Sequence, residues 1–212
     1  MVHHFTPRPG VVWFSGVMTD LALDLWGDVT DPWSYVAKRR VEAAVAASER
    51  PADVVLTHHA LPGPPVSADE LERAAIACRP DGIDIAITQP PDMDTTDAHR
   101  LVALALALGG PALQGAMLER LYAAVFTEGL DVSSHRILQR LAAEAGVDEQ
   151  RVGDLLATSN ERSSDVAADA ETARERGITS TPYLVVDHHI GLGGPATVED
   201  YLTVMGSDPA GP

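Results

Sequence analysis

The sequence predicts an α/β domain interrupted by an all-helical module. Hydrophobic periodicity switches in the order strand, helix, strand, long helical stretch, strand, strand, helix. The stretch "LALDLW" (Leu21–Trp26) alternates with a period of two, while the residues after Asp31-Pro32 follow a helical period. The chain has 212 residues, 45% hydrophobic and 22% charged, enough for one large domain or one domain carrying an insertion.

Each element has its own signal. Leu21, Leu23 and Leu25 share one face of the first strand. Asp31 is a capping residue and Pro32 suits the first helical turn. The helix they open carries Trp33, Val36, Ala37, Val41, Ala44 and Val45 on one stripe. "ADVVLTHHAL" reads as the second strand, ended by "PGPP" at Pro62–Pro65. Leu101–Leu108 is apolar nearly all round, which predicts a helix buried on most sides. Leu113, Met117, Leu118, Leu121, Tyr122 and Val125 follow at helical spacing. "SSHRILQRLAAEAG" opens on a serine cap and stops at Gly146. Further helices are predicted over Asp148–Thr158 and Ser164–Arg176. "TPYLVVDHHIGLGG" reads as two short strands in a hairpin and "TVEDYLTVM" as a closing helix. Val11–Val17 adds a candidate strand in front.

This is the order of a thioredoxin-like fold with helices inserted after the second strand. Lengthening a connection is thermodynamically cheap, so the insertion is compatible with one folding unit. The predicted boundaries are 1–65 and 178–212 for the two parts of the thioredoxin-like domain, and 66–177 for the helical module.

A net charge of −16 disfavours nucleic acid and anionic membranes as partners, because phosphates would be repelled. No run of residues is read as a bilayer-crossing segment or a signal peptide, so the expected location is cytoplasmic. The single cysteine, Cys78, excludes dithiol chemistry within one chain and reads as a small buried residue. Three histidine pairs, His3-His4, His58-His59 and His188-His189, look like metal ligands. Neighbours on a strand point to opposite faces, however, so each pair supplies at most one ligand, and no metal site is expected.

"GDVTDPWSYVAKRR" resembles the active-site turn of DsbA-like proteins of the FrnE type, where a Cys-Pro-Trp-Cys turn opens the first helix. "DTTDAHRL", "AVFTEGLDVSSHRILQRLAAEAG" and "GITSTPYLVVD" resemble the same family's helical module and cis-proline segment. The resemblance runs from about Leu21 to Met205. It implies a thioredoxin-like fold and a cis bond at Thr181-Pro182 facing the helix mouth. Both cysteines of the family turn are replaced here, by Asp31 and Ser34. Thiol–disulfide exchange needs a thiolate, so that activity does not carry over. The related kappa-class glutathione transferases and hydroxychromene-carboxylate isomerases work on this scaffold without the cysteine pair. Glutathione or another low-molecular-weight thiol therefore stays open as a cofactor, although the Asp31 charge repels a thiolate.

Two readings of function follow. In the first, the chain is a small-molecule enzyme of isomerase, lyase or thiol-dependent transferase type. It would act on a small apolar or aromatic molecule, as in secondary-metabolite tailoring. Asp31 would move a proton, Ser34 and the Thr181 backbone would orient the ligand beside Pro182, and Trp33 and Tyr183 would form apolar walls. His58 or His59 would face the cleft as an acid or base, and His99 with Arg100 would close it from the helical module. A homodimer fits this reading. In the second, the fold serves as a non-catalytic binding or assembly protein. In that case Asp31 is only a helix cap, His99 a core polar contact and Arg100 a surface residue.

Overall fold

The computed structural model describes residues 20–158 and 160–206; the candidate strand Val11–Val17 and the pair His3-His4 lie outside them. β1 (Leu21–Gly27) runs into α1 (Pro32–Ala47), then β2 (Val54–Ala60). The helices α2 (Ala68–Ala77), α3 (Thr96–Tyr122), α4 (His135–Glu144), α5 (Glu149–Leu156) and α6 (Ser163–Glu175) follow. The chain closes with β3 (Tyr183–Val186), β4 (Ile190–Gly193) and α7 (Val198–Met205). The sheet order is β2-β1-β3-β4, with β1 and β2 parallel and the other neighbours antiparallel. This is a thioredoxin-like α/β fold, as the order of elements predicts.

Alternation along β1 decides what each face of the sheet meets. Leu23 and Leu25 pack with Ala37, Val41 and Ala44 of α1 and Tyr201 of α7. Trp26 faces the other way, with Val185, Ile178 and Ala173 of α6. The opposite side of α1, with Tyr35 and Val36, joins the large helical core around Leu101, Leu104, Met117 and Leu121. α1 is thus buried on two sides and holds the sheet against the helices. Asp31 caps it, accepting from the Trp33 N–H at 3.0 Å. The β3–β4 turn places Asp187 and His188 both at positive φ, the combination a type I′ turn requires.

The apolar runs at 101–108 and 113–125 form the two helical segments of α3, which meet at a kink where Gly109 and Gly110 leave helical φ/ψ just before Pro111; a π turn over Ala123–Thr127 continues the second. One expectation changes. This run, Thr96–Thr127, is long and apolar enough by length and composition to cross a bilayer, contrary to the expectation that none is. Its apolarity serves the core, and buried His99, Arg100 and Gln114 interrupt it. The Gln114 side-chain amide accepts from the His58 N–H (3.0 Å) and donates to the His58 carbonyl (2.8 Å), capping the edge strand β2 as a neighbouring strand would. α2, not read individually from the sequence, begins on a capping box of Ser67 and Glu70.

His59 of β2 turns toward α6. Its ring stacks on Trp26 at 4.5 Å and lies between Asp169 (2.6 Å) and Asp24 (2.9 Å). Burial opposes its charge, but the two carboxylates outweigh it and raise its pKa to about 9. The contribution is therefore fully present below the unfolded value of about 6.5 and lost as pH rises through about 9. Melting temperatures between pH 6.5 and 9.5 are expected to fall in the wild type by the equivalent of about 2–3 kcal/mol. In His59→Gln they should stay flatter.

Candidate active site

The site begins where β1 ends. Asp28 to Asp31 form a turn closed by the Asp31 N–H donating to the Asp28 carbonyl at 3.1 Å. The Asp28 carboxylate then collects donors from three elements. It accepts from the Thr30 N–H (3.3 Å) and hydroxyl (3.0 Å), from the Gly63 N–H (3.1 Å) of the loop after β2, and from His99 Nε2 (3.1 Å) on α3. Asp28 and His99 are each 3% exposed. Burial raises the Asp28 pKa, but His99 and the surrounding donors overcome it and hold the carboxyl below its usual range.

Asp31 has the opposite balance. Its Oδ1 accepts from the Trp33 N–H, and its Oδ2 accepts from the Ser34 hydroxyl (2.7 Å) and the Thr181 hydroxyl (3.0 Å). Burial dominates these bonds and pushes its pKa up, with the negative charge of Asp28 adding to the rise. The Thr181-Pro182 bond is cis, and Thr181 meets the helix mouth through its side chain. Behind Asp31, Ser34 accepts from the Asp28 N–H (3.3 Å) and touches Tyr122, whose phenol burial keeps protonated. Gly27 permits this contact, since a Cβ there would lie 3.2 Å from Ser34 Oγ and 3.4 Å from the Tyr122 hydroxyl. A cleft of about 360 Å³ opens over the turn, lined by Asp28, Thr30, Asp31, Trp33, the loop Leu61–Val66 and Ile178–Thr181.

The structure brings Asp31, Ser34 and Thr181 together, with Pro182 next in the chain and Trp33 on the cleft wall. His99 reaches the site through Asp28 rather than by facing the cleft. Three other candidates lie apart from it. Tyr183 points to the opposite face of the sheet from Leu184 and lies over Gly191 and Gly193 of β4, where a Gly191 Cβ would collide with its hydroxyl at 2.3 Å. His59 is engaged by Asp24 and Asp169 on that same face. Arg100 is neither a cleft nor a surface residue. It is 1% exposed and donates to the carbonyls of Leu155 (2.9 Å), Thr158 (2.6 Å) and Glu161 (2.7 Å) and to Asp97 (2.5 Å). Asp28 is the site residue that sequence reasoning missed. Its signal was the "DVT" turn, in which an aspartate accepts from the N–H two residues on.

A helix start meeting a cis-proline segment across the end of a four-stranded mixed sheet defines a thioredoxin-fold site. The chain belongs to the DSBA-like thioredoxin domain family, whose model matches residues 22–208. It is similar to a structure described as a probable DsbA oxidoreductase from Streptomyces coelicolor. That likeness has 26% identity, 87% of this chain and 88% of the other covered, and a TM-score of 0.79. A 2-hydroxychromene-2-carboxylate isomerase shares the fold at 16% identity, with 87% and 94% covered and a TM-score of 0.69. The cytosolic disulfide reductase DsbM of Pseudomonas aeruginosa does so at 22% identity, with 87% and 96% covered and a TM-score of 0.63. No curated protein sequence matches.

The cysteine has no place in this site. Cys78 ends α2, fully buried, with its thiol toward the Ala75 and Ile83 carbonyls and its pKa raised by burial. An insulin-reduction assay is expected to show no turnover above background, and Cys78→Ser should match the wild type.

Proposed function

We propose that the protein is an acid–base enzyme of isomerase or cyclase type acting on a small, largely apolar carbonyl compound, with Asp31 as the group that moves the proton. One observation carries this reading. Two carboxylates three residues apart line the same cleft, and their environments push their pKa values in opposite directions, Asp28 down and Asp31 up. Such a divergence separates a fixed anion from a proton carrier. Asp28, locked to His99 and Gly63, holds the turn as an anion. Asp31 takes a proton from carbon next to the carbonyl and returns it at another position, so no electrons are gained or lost. Trp33 supplies an apolar wall, and the Ser34 and Thr181 hydroxyls fix the orientation of the carboxyl.

The fold shared with an isomerase is compatible with this reading, by analogy only. The net charge of −16 speaks against nucleic-acid or anionic-membrane partners, and a cytoplasmic role in tailoring an aromatic metabolite is part of the proposal by analogy with the fold. A thiol cofactor would have to approach Asp31 as the neutral thiol.

Enolisable cyclic ketones, incubated with the protein in D₂O, test the reading. Deuterium should enter the carbon next to the carbonyl at a rate proportional to enzyme concentration. A second reading, that of a non-catalytic binding or assembly protein, draws on the engagement of both Asp31 oxygens by protein donors, which ties α1 to Thr181. Ligands that bind the cleft and never acquire deuterium would favour it.

A further inference from the structure

A second cavity, of about 350 Å³, lies between α3, α6 and the end of β2. It shares no lining residue with the front cleft, and the Asp28–His99 pair stands between them. The narrow space that continues from it toward Ser34 and Tyr122 is only about 10 Å³, too small for a ligand. Its walls are apolar where solvent exposure would favour polar residues. Ala103 and Leu106 of α3 are partly exposed, and Ala107 of α3 and Ala168 of α6 are exposed. An apolar surface left open inside a concave site is the ordinary lining of a small-molecule pocket.

The polar groups inside narrow the choice of ligand. His58 is 8% exposed, borders this cavity as well as the narrow space toward Ser34 and the groove beside Lys38, and its ring has no hydrogen-bond partner among the described residues. Burial and the nearby charges of Lys38 and His59 hold it neutral, with a pKa of about 3. A neutral imidazole offers one donor and one acceptor. The charges at the rim are already matched: Arg162 pairs with Asp165 at 3.1 Å, and His59 with Asp169 at 2.6 Å. Nothing there rewards a charged ligand, and a buried ion without a partner is costly.

We propose that this cavity is a second binding site, for a compact uncharged molecule with an apolar ring and one hydroxyl that hydrogen-bonds His58. The volume is at the small end for ligand pockets, which limits the molecule to about one substituted ring. This inference does not depend on proton transfer at Asp31.

The test titrates the full-length protein with 4-methylphenol, and in parallel with toluene, which has the same ring and methyl group without the hydroxyl. Methyl and histidine-ring resonances are followed by NMR. Saturable binding of 4-methylphenol is expected, with contacts from its methyl group to Ala103, Leu106 and Ala168 and a shift of the His58 ring nitrogens. Its affinity should exceed that of toluene at least tenfold. Ala103→Phe should fill the space and abolish binding. Because the contacts are read in the unsubstituted protein, the outcome stands even if that variant folds poorly. Three results would overturn the proposal: no saturation up to the solubility of the probe, contacts to Trp33 and Pro64 instead, or equal affinity for toluene.

Discussion

Replacing Arg100 with leucine is expected to destabilise the protein by about 3–5 kcal/mol, the range for breaking a buried charged network. The guanidinium donates to three carbonyls around the end of α5 and the start of α6, and pairs with Asp97. Leucine fills part of the volume but withdraws the charged donor from all three carbonyls, of which that of Leu155 still accepts from Thr158. Helix C-termini leave their last carbonyls short of partners, so the arginine fork from α3 reinforces the end of α5, which the Ala157 N–H already caps through the Gly153 and Leu155 carbonyls. Lysine should recover less than half of the loss, because an ammonium cannot span the same fork. Urea unfolding of the three proteins measures this directly.

Asp31→Asn is expected to lower turnover on the true substrate by on the order of a hundredfold or more, with little change in melting temperature. Asparagine caps a helix nearly as well as aspartate, so α1 keeps its start. The Ser34 and Thr181 hydroxyls can each rotate from donating to accepting, which suits an amide at the same place. What asparagine cannot do is carry a proton. Deuterium incorporation and thermal unfolding, measured on the same two preparations, separate the two roles. Full turnover in the variant would reduce Asp31 to a cap and move the chemistry to another group.

What the sequence carries is local. A strand ending in an aspartate-proline helix start reads directly, as does the hairpin at Tyr183–Gly193, because periodicity and capping act within a few residues. The meeting of Asp31 with Thr181 was legible only through the family resemblance, since 150 residues separate them. Asp28 and Arg100 were misjudged for a related reason. Asp28 gains its character from His99, 71 residues away, and Arg100 from carbonyls 55 to 61 residues away. Burial of a polar group is a tertiary property, and no window along the chain contains it. The bend of α3 could be placed from the Gly-Gly-Pro run, but whether the helix stops or turns there is decided by packing.

The central claim is that one turn holds two carboxylates of opposite character, and a titration of their side-chain carbons tests it most directly. Carbon-detected NMR of the wild-type protein, with Asp28 and Asp31 assigned, follows each carboxyl through its own protonation. Asp31 is predicted to titrate above the ordinary aspartate value of 3.8 and Asp28 below it. The Asp31 shift should accompany a loss of stability as pH rises through its own transition, because the folded state favours its protonated form. Asp28 should have the opposite sign, losing its stabilisation as pH falls through its lowered value. If Asp31 instead titrates at or below 3.8, its carboxyl is an ordinary capping anion and the site has no proton carrier of the kind proposed.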